Sequence, residues 1–492
     1  MPRAPSSARW WPRNWSRTSA STTTSRRGYS RSRWRSTAAS RRDIVPGVSS
    51  KEQLARQITA RLRAAGYSAY LAGGCVRDRL LGQEPKDFDV ATDAPAARVQ
   101  QLFERTVPVG VQFGVVLVML EGQAFEVATF RADAVYLDGR RPASVRFSSA
   151  GEDAARRDFT INGMFLDPAT DQIIDFVGGQ EDLRAGVIRA IGDPAARIYE
   201  DRLRMLRAVR LAARLGFTIA PATFDAIRAA APHLTDIAWE RIGEEIVRIL
   251  RQGNARRGFE LLDATGLLPV VLPEVAALKG VSQSPDYHPE GDVFAHTLLL
   301  LAEFERPSET LALAALLHDI GKPRCAQSGD KRITFYGHCE VGAEMALATC
   351  QRLRRSREVW ERVAWLVRHH LRILHAREMR LSTLKRLLAQ EGIEELLELA
   401  RLDALASNQD LRCYDFCRAK QRELAAEIKP PPLIRGRDLL DLGFEPGPRF
   451  REILDAVEEA QLEGRLATHA EACDWVRRHY LAGAPACRQD PE

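Results

Sequence analysis

Two aspartates set two residues apart, in Lys86-Asp87-Phe88-Asp89-Val90-Ala91-Thr92, constrain this chain more than any other feature. The segment reads as a strand, and residues i and i+2 of a strand point to one face, so Asp87 and Asp89 converge. Side by side, two carboxylates repel, and Mg²⁺ relieves that repulsion. It takes oxygen ligands and shares them with substrate phosphates, and a pair of ions clamps the attacking and leaving oxygens of an in-line phosphoryl transfer. Just upstream, the apolar run Ala69-Tyr70-Leu71-Ala72 enters Gly73-Gly74 and then a helical stretch, Val76 to Leu81. Strand, double glycine and helix start together make a phosphate cradle. Gly73 and Gly74 let backbone N–H groups approach a ligand, and Arg77 neutralises its charge.

Two further strands, Phe113–Leu120 and Phe125–Arg131, flank Glu121-Gly122 and predict a hairpin. Glu126 lies on the second, either as a third metal carboxylate or as an exposed-face strand residue. Arg131 to Phe147, with Asp138-Gly139-Arg140-Arg141-Pro142, has the Gly, Pro and charge content of a mobile connection. Arg156-Arg157-Asp158 with Asn162 suits a triphosphate and a ribose hydroxyl: guanidinium grips phosphate in two places, and Asp or Asn meets a sugar OH. Glu200 to Arg214 predicts one helix on which Arg204, Arg207, Arg210 and Arg214 recur at three- and four-residue steps. Asp201 and Arg204 share a face of it, one accepting and one donating, which permits recognition of a base edge by side chains.

A second group of residues lies downstream. Seven of the ten histidines fall between His288 and His375. An apolar helix ends in His318-Asp319-Ile320-Gly321-Lys322. His296, His338, the doublet His369-His370 and Asp403 accompany it. Imidazoles and carboxylates on facing helices make a transition-metal site that activates water for phosphoester hydrolysis. His338 hints at a two-metal version. We take His369 as the doublet's ligand, although spacing alone does not choose it over His370.

Charge must be divided before it is used. The 492 residues carry +6, but residues 1–50 hold eleven Arg and one acid, a net +10, and the rest hold 60 basic and 64 acidic residues, a net −4. Overall basicity is therefore no argument for nucleic-acid binding; any basic surface is local. The Arg/Ser-rich residues 1–50 lack apolar periodicity and read as a disordered extension or a misplaced start, rather than a basic RNA-binding arm or transit segment. No apolar run is long enough to span a membrane. Eight cysteines are too sparse for a disulfide scaffold, so reduced thiols in a cytoplasmic chain are expected. Arginines at 352, 354, 355, 357, 362, 368 and 372 offer a local basic face for RNA.

Four motifs now carry a resemblance. Gly73-Gly74-Cys75-Val76-Arg77-Asp78 with Asp87-Phe88-Asp89, then Arg156-Arg157-Asp158-Phe159-Thr160-Ile161-Asn162, then Gly178-Gly179 with Asp182-Leu183 and Gly186-Val187-Ile188-Arg189, then Glu200-Asp201-Arg202-Leu203-Arg204 occur in that order. Together they resemble the class II tRNA nucleotidyltransferase and bacterial poly(A) polymerase family. The histidine pattern resembles the HD phosphohydrolase superfamily. The resemblance implies an α+β protein. A polymerase-β-like head with a small mixed sheet (51–190) would be followed by a helical neck (191–280), an HD-type body (281–428) and a helical tail (429–492).

It also implies addition of CCA, or its terminal A, to the tRNA 3′ end from CTP and ATP. Asp87 and Asp89 would be catalytic and, with Glu126, would hold Mg²⁺. Gly73, Gly74, Arg77, Arg157, Asp158, Asn162, Glu200, Asp201, Arg204, Arg207 and Arg210 would bind nucleotide. His296, His318, Asp319, His338, His369 and Asp403 would hold a divalent transition metal. Poly(A) polymerases with a similar head typically carry Pro after Glu-Asp, where this chain has Arg202, and CC-adding members lack the 131–147 connection. The alternatives are a poly(A) polymerase, or an HD-domain phosphodiesterase or phosphatase acting on RNA ends. Nothing in the sequence specifies an oligomer.

Overall fold

The strands on either side of the double glycine form the centre of the head. β1 (Ala69–Ala72) runs antiparallel to β2 (Asp89–Thr92), with Ala72 opposite Asp89. Three more strands follow: β3 (Thr106–Gly110), β4 (Val115–Leu120) and β5 (Gln123–Thr129). β4 and β5 form the expected hairpin, and both turn residues, Glu121 and Gly122, have positive φ (49° and 76°), which matches the right-handed twist of the flanking strands. β6 (Arg131–Asp133) and β7 (Val145–Phe147) pair as a separate two-stranded ribbon. β8 (Phe165–Leu166) and β9 (Ile173–Ile174) complete a sheet of order β3-β4-β5-β2-β1-β8-β9. β2 and β5 pair in parallel, so the sheet is mixed, as expected for an α+β head.

The structure is a computed structural model and describes residues 49–110, 113–133, 145–283, 291–328, 333–425 and 427–481. The N-terminal extension, the middle of the 131–147 connection and His288 lie outside those residues.

One face of the sheet is apolar. Leu71, Val90, Val116, Val118, Phe125 and Val127 are buried, packed with Leu54, Ile58 and Leu62 of the helix Ser50–Ala64 and Val99 of Ala96–Leu102. Each such side chain contributes about 1.5–3 kcal/mol of burial. The opposite face carries the polar positions and opens on the cleft described below.

Helices Arg204–Leu215, Pro221–Ala230, Trp239–Arg251 and Ala255–Ala264 follow the head. Then come Val293–Ala302, Glu309–Leu317, His338–Arg352, Arg357–His369 and Ile393–Ala406. A single apolar core runs from Leu54 to Cys417, and a separate cluster after the proline run joins Ile434, Leu439, Ile453, Val457 and Val476. Among the described residues no helix is long and apolar enough to cross a membrane, and all seven cysteines are free thiols.

One predicted element is corrected. Glu200 to Arg214 is not a single helix. Pro194–Glu200 ends at Asp201, which is extended (φ −144°, ψ 102°), and a new helix begins at Arg204. The Asp201 carboxylate accepts the Leu203 N–H at 3.2 Å, serving the start of the second helix rather than continuing the first.

Candidate active site and metal centre

The polar face of the sheet and the helix Arg204–Leu215 enclose a cleft of about 510 Å³. Strand pairing brings its acids together. Val90 and Val127 are register partners and both face the core, so their neighbours Asp89 and Glu126 emerge side by side on the other face. Withdrawal from water in the cleft, then the charge of Glu126 and of Asp87, raises the Asp89 carboxyl to about 6 although Arg157 opposes the shift. Three carboxylates within electrostatic reach of one another are a set of hard oxygen donors suited to a divalent cation. Asp87 does not line the cleft wall. It precedes β2, its side chain is 83% exposed, and Lys51 holds it in an ion pair at 2.9 Å.

Gly73 joins this acidic end to the phosphate cradle. Its φ is +75°, and a Cβ there would lie 3.0 Å from Arg157 Nη1, so no other residue gives this turn without strain. Eight arginines line the cleft: Arg77, Arg131, Arg156, Arg157, Arg204, Arg207, Arg210 and Arg214. A pocket so lined attracts a polyanion.

Most of these guanidiniums are already anchored. Arg77 donates to Asp78 (2.8 and 2.7 Å) and to Asn162 Oδ1 (2.6 Å). Arg156 and Arg157 both bind Asp153, which is buried. Arg207 grips Asp158 at 2.9 and 2.5 Å, and Asn162 and the Phe159 N–H donate to the same carboxylate. Burial alone would raise Asp158, but Arg207 and these hydrogen bonds win and hold it at about 2. Arg210 pairs with buried Glu245 at 2.6 Å, and Arg214 with Asp78 at 3.1 Å. Asp201 pairs with Arg241 at 3.1 Å.

Among the sequence-predicted nucleotide residues, Gly73, Gly74, Arg77, Arg157, Asp158, Asn162, Asp201, Arg204, Arg207 and Arg210 all line the cleft. Glu200 does not. It accepts from Arg204 at 2.7 Å and Arg197 at 2.8 Å and so fixes the direction of Arg204. The anchoring acids Asp78, Asp153 and Glu245 were missed. Each sits on a buried helix position, and a buried acid is the signal that a cation must be nearby.

The histidines of the second group meet in one buried cluster. His296 Nε2 lies 3.0 Å from Asp403 Oδ1, and His318 Nε2 lies 3.1 Å from Asp319 Oδ2. Asp319, 2% exposed, also lies 2.7 Å from Lys322 Nζ, and the neighbouring His318 and Lys322 hold its carboxyl well below the usual range despite burial. His318, His338 and His370 point their Nδ1 atoms at the carbonyls of Ala315, Phe335 and Val367, at 2.9, 2.7 and 2.7 Å. A carbonyl only accepts, so each Nδ1 carries the proton and each Nε2 presents a lone pair to the centre, the arrangement of metal-ligating histidines.

His369 is corrected to His370. His370 is buried, with its ring 5.3 Å from that of His318, whereas His369 packs on Trp365 at 5.1 Å. The helix ends at His369 and the chain tightens into a 3₁₀ turn, which aims the next side chain inward. Gly321 is required beside the cluster: a Cβ there would lie 2.2 Å from the His338 carbonyl oxygen. Lys322 was overlooked, although its place one turn after His318 marks it. The basic face expected over 352–372 is partly consumed internally, since Arg352 binds Glu274 at 2.7 Å and Arg362 binds Glu391 at 2.7 Å.

Fold and cleft define a nucleotidyltransferase-type head joined to an HD-type helical body. Three family models match in order: "Poly A polymerase head domain" over residues 69–189, "Probable RNA and SrmB-binding site of polymerase A" over 216–279, and "HD domain" over 292–408. A CCA-adding enzyme of Levilactobacillus brevis is 32% identical over 424 residues, 85% of this chain and 96% of the relative. An A-adding tRNA nucleotidyltransferase of Deinococcus radiodurans is 35% identical over 433 residues, 83% of this chain and 95% of the relative. The crystal structure of the Bacillus stearothermophilus CCA-adding enzyme in complex with CTP superposes with a TM-score of 0.69 at 28% identity, covering 88% of this chain and 98% of that one. The chain belongs to the tRNA nucleotidyltransferase and poly(A) polymerase family, in a form that carries an HD domain.

Proposed function

We propose that the protein adds CCA, or its terminal A, to the 3′ end of tRNA from CTP and ATP without a nucleic-acid template. One observation carries the reading: Asp89 and Glu126, brought abreast by parallel pairing of β2 and β5, stand at the acidic end of a cleft otherwise walled by arginine. The names of the two relatives, CCA-adding and A-adding, support the same chemistry. A poly(A) polymerase is disfavoured by Arg202 and by those relatives.

Asp89 and Glu126, with Asp87 at the rim, are the donors that would hold Mg²⁺. Bound there, Mg²⁺ supplies charge neutralisation of the triphosphate and makes the primer 3′-OH a better nucleophile. The chain's own groups do the positioning. Gly73 and Gly74 open the backbone to phosphate, Arg157 adds positive charge beside them, and Asp158 with Asn162 meets the sugar. Asp201 and Arg204 read the base edge, accepting and donating respectively. Transfer of this kind depends on positioning and electrostatics, because the protein forms no covalent bond to substrate. Residues 51–190 would form the head, 191–280 the neck, 281–428 the HD body and 429–492 the tail.

The HD cluster supports a second activity, metal-dependent phosphoester hydrolysis at RNA ends. Its ligand atoms fit a transition metal: those of His296, His318 and Asp319 lie within 4.8 Å of one another, and His318 Nε2 is buried without a hydrogen bond.

The test is sequencing of products formed on tRNAs ending before, within and after CCA, given CTP and ATP. Ordered addition that stops at the terminal A is expected. A long homopolymer made from ATP on generic RNA would overturn the reading in favour of a poly(A) polymerase.

A further inference from the structure

The arginines of the cleft are not all held alike, and Asp153 gives two of them a direction. It lies in the first turn of the helix Ala150–Ala155, whose start is fixed by a capping box of Ser149 and Glu152. Only 1% of Asp153 is exposed. Its Oδ1 accepts from Arg156 Nε and Nη2 at 2.9 and 2.6 Å and from the Arg131 N–H at 3.3 Å. Its Oδ2 accepts from Arg157 Nε and Nη2 at 3.2 and 3.0 Å. Burial pushes this carboxyl up, and the guanidiniums of Arg157 and Arg156 more than offset that, so it lies below its ordinary value and is ionised at neutral pH.

For Arg157 the clamp leaves a defined end over. A guanidinium is a planar fork, and Asp153 takes its Nε–Nη2 edge. The buried Phe165 ring supports the plane, with Arg157 Cζ 5.1 Å from the ring centroid. What remains is Nη1. Among the described residues it has one long contact, 3.4 Å to the Asn162 carbonyl. It stands so close to Gly73 that a Cβ there would lie 3.0 Å away. Nη1 therefore sits at the backbone turn that opens the phosphate cradle. Without the charge of Asp153, Arg156 and Arg157 would repel each other and the fork would be free to turn.

We propose that Asp153 is a positioning residue for nucleotidyl transfer: by holding the Nε–Nη2 edge of Arg157, it presents Nη1 past Gly73 to the triphosphate. The proposal rests on reading the arginine-walled cleft as the nucleotide site. Two consequences separate it from a mere supply of positive charge. Arginine bridges Asp153 and a phosphate because its two ends donate independently. Lysine has a single nitrogen, which the buried carboxylate takes, so Arg157→Lys keeps the charge but loses the contact to the ligand. Asp153 itself touches no phosphate. Its effect passes through Arg157, so the losses from Asp153→Asn and Arg157→Ala are not additive.

The test is binding of CTP and of inorganic pyrophosphate to the full chain, measured by isothermal titration calorimetry in EDTA so that no metal contributes. Arg157→Ala is expected to weaken both by about tenfold or more, the worth of a charge-assisted hydrogen bond. Arg157→Lys should lose as much as Arg157→Ala. Asp153→Asn, checked for folding by circular dichroism, should lose a comparable amount, and the double variant Asp153→Asn/Arg157→Ala should bind no more weakly than Arg157→Ala. In turnover, the KM for CTP and for ATP should rise together in Arg157→Lys by more than kcat falls, whereas a smaller folded fraction would lower kcat at unchanged KM. Arg157→Lys that binds pyrophosphate as tightly as the wild type refutes the clamp, whether or not Asp153→Asn folds. A double variant that loses the product of the two single losses refutes it as well. Equal binding of CTP and pyrophosphate by the wild type and Arg157→Ala overturns instead the placing of the triphosphate at Arg157, on which the proposal rests.

Discussion

Replacing Asp158 by Asn tests the electrostatic logic of the cleft, because one carboxylate there gathers three donors. Arg207 binds it twice, the Phe159 N–H donates at 2.8 Å and Asn162 Nδ2 at 3.1 Å. A carboxyl held at about 2 instead of its ordinary 3.8 favours the folded state by about 2 kcal/mol at neutral pH. Asn keeps the shape and an acceptor oxygen but not the charge, so Asp158→Asn should cost about that amount. The sign follows from linkage. The folded-state value lies below the unfolded one, so the contribution is complete above the unfolded pKa and vanishes as pH falls through about 2. Urea unfolding followed by far-UV ellipticity should show a gap between wild type and variant that is flat from neutrality down to roughly pH 5 and narrows only below about 4. A gap under about 0.5 kcal/mol at neutral pH, or one that closes by about pH 6, would show that the Arg207 pair is too well solvated to matter.

The remaining expectations are more direct. Asp89→Ala, and separately Glu126→Ala, should lower labelled CTP and ATP incorporation by about a hundredfold or more with circular dichroism unchanged; normal turnover in Glu126→Ala would return that residue to a passive strand position. His370→Ala should lower metal retention by the HD body, whereas His369→Ala should leave it unchanged, as read by metal analysis after dialysis. Gly321→Ala would drive a methyl into the His338 carbonyl, 2.2 Å away, and should destabilise the body by about 1–3 kcal/mol; an unchanged thermal midpoint would mean that the helix shifts freely.

What local sequence determined here is what short-range geometry can express. Period-two spacing put β1, β2, β4 and β5 in place, the double glycine marked the cradle, and an apolar helix ending in His318-Asp319 announced the metal cluster. Even there the limits were local: Asp87 fell before the start of β2 and turned to Lys51, and the Glu200–Arg214 helix broke because Asp201 caps the segment that follows. Tertiary structure decided everything that depends on partners far along the chain. Glu126 meets Asp89 only because β5 pairs with β2 in parallel, a register that buries Val90 and Val127, 37 positions apart in the chain, on the same face. Whether His369 or His370 faces the centre turned on one residue of helix against 3₁₀ rotation, which swings a side chain by about 100° and is settled by packing on Trp365. The arginines show the same division. Sequence supplied their number, but burial of Asp78, Asp153 and Glu245 chose which are clamped, because a carboxylate taken out of water must find its counter-charge wherever the fold brings one.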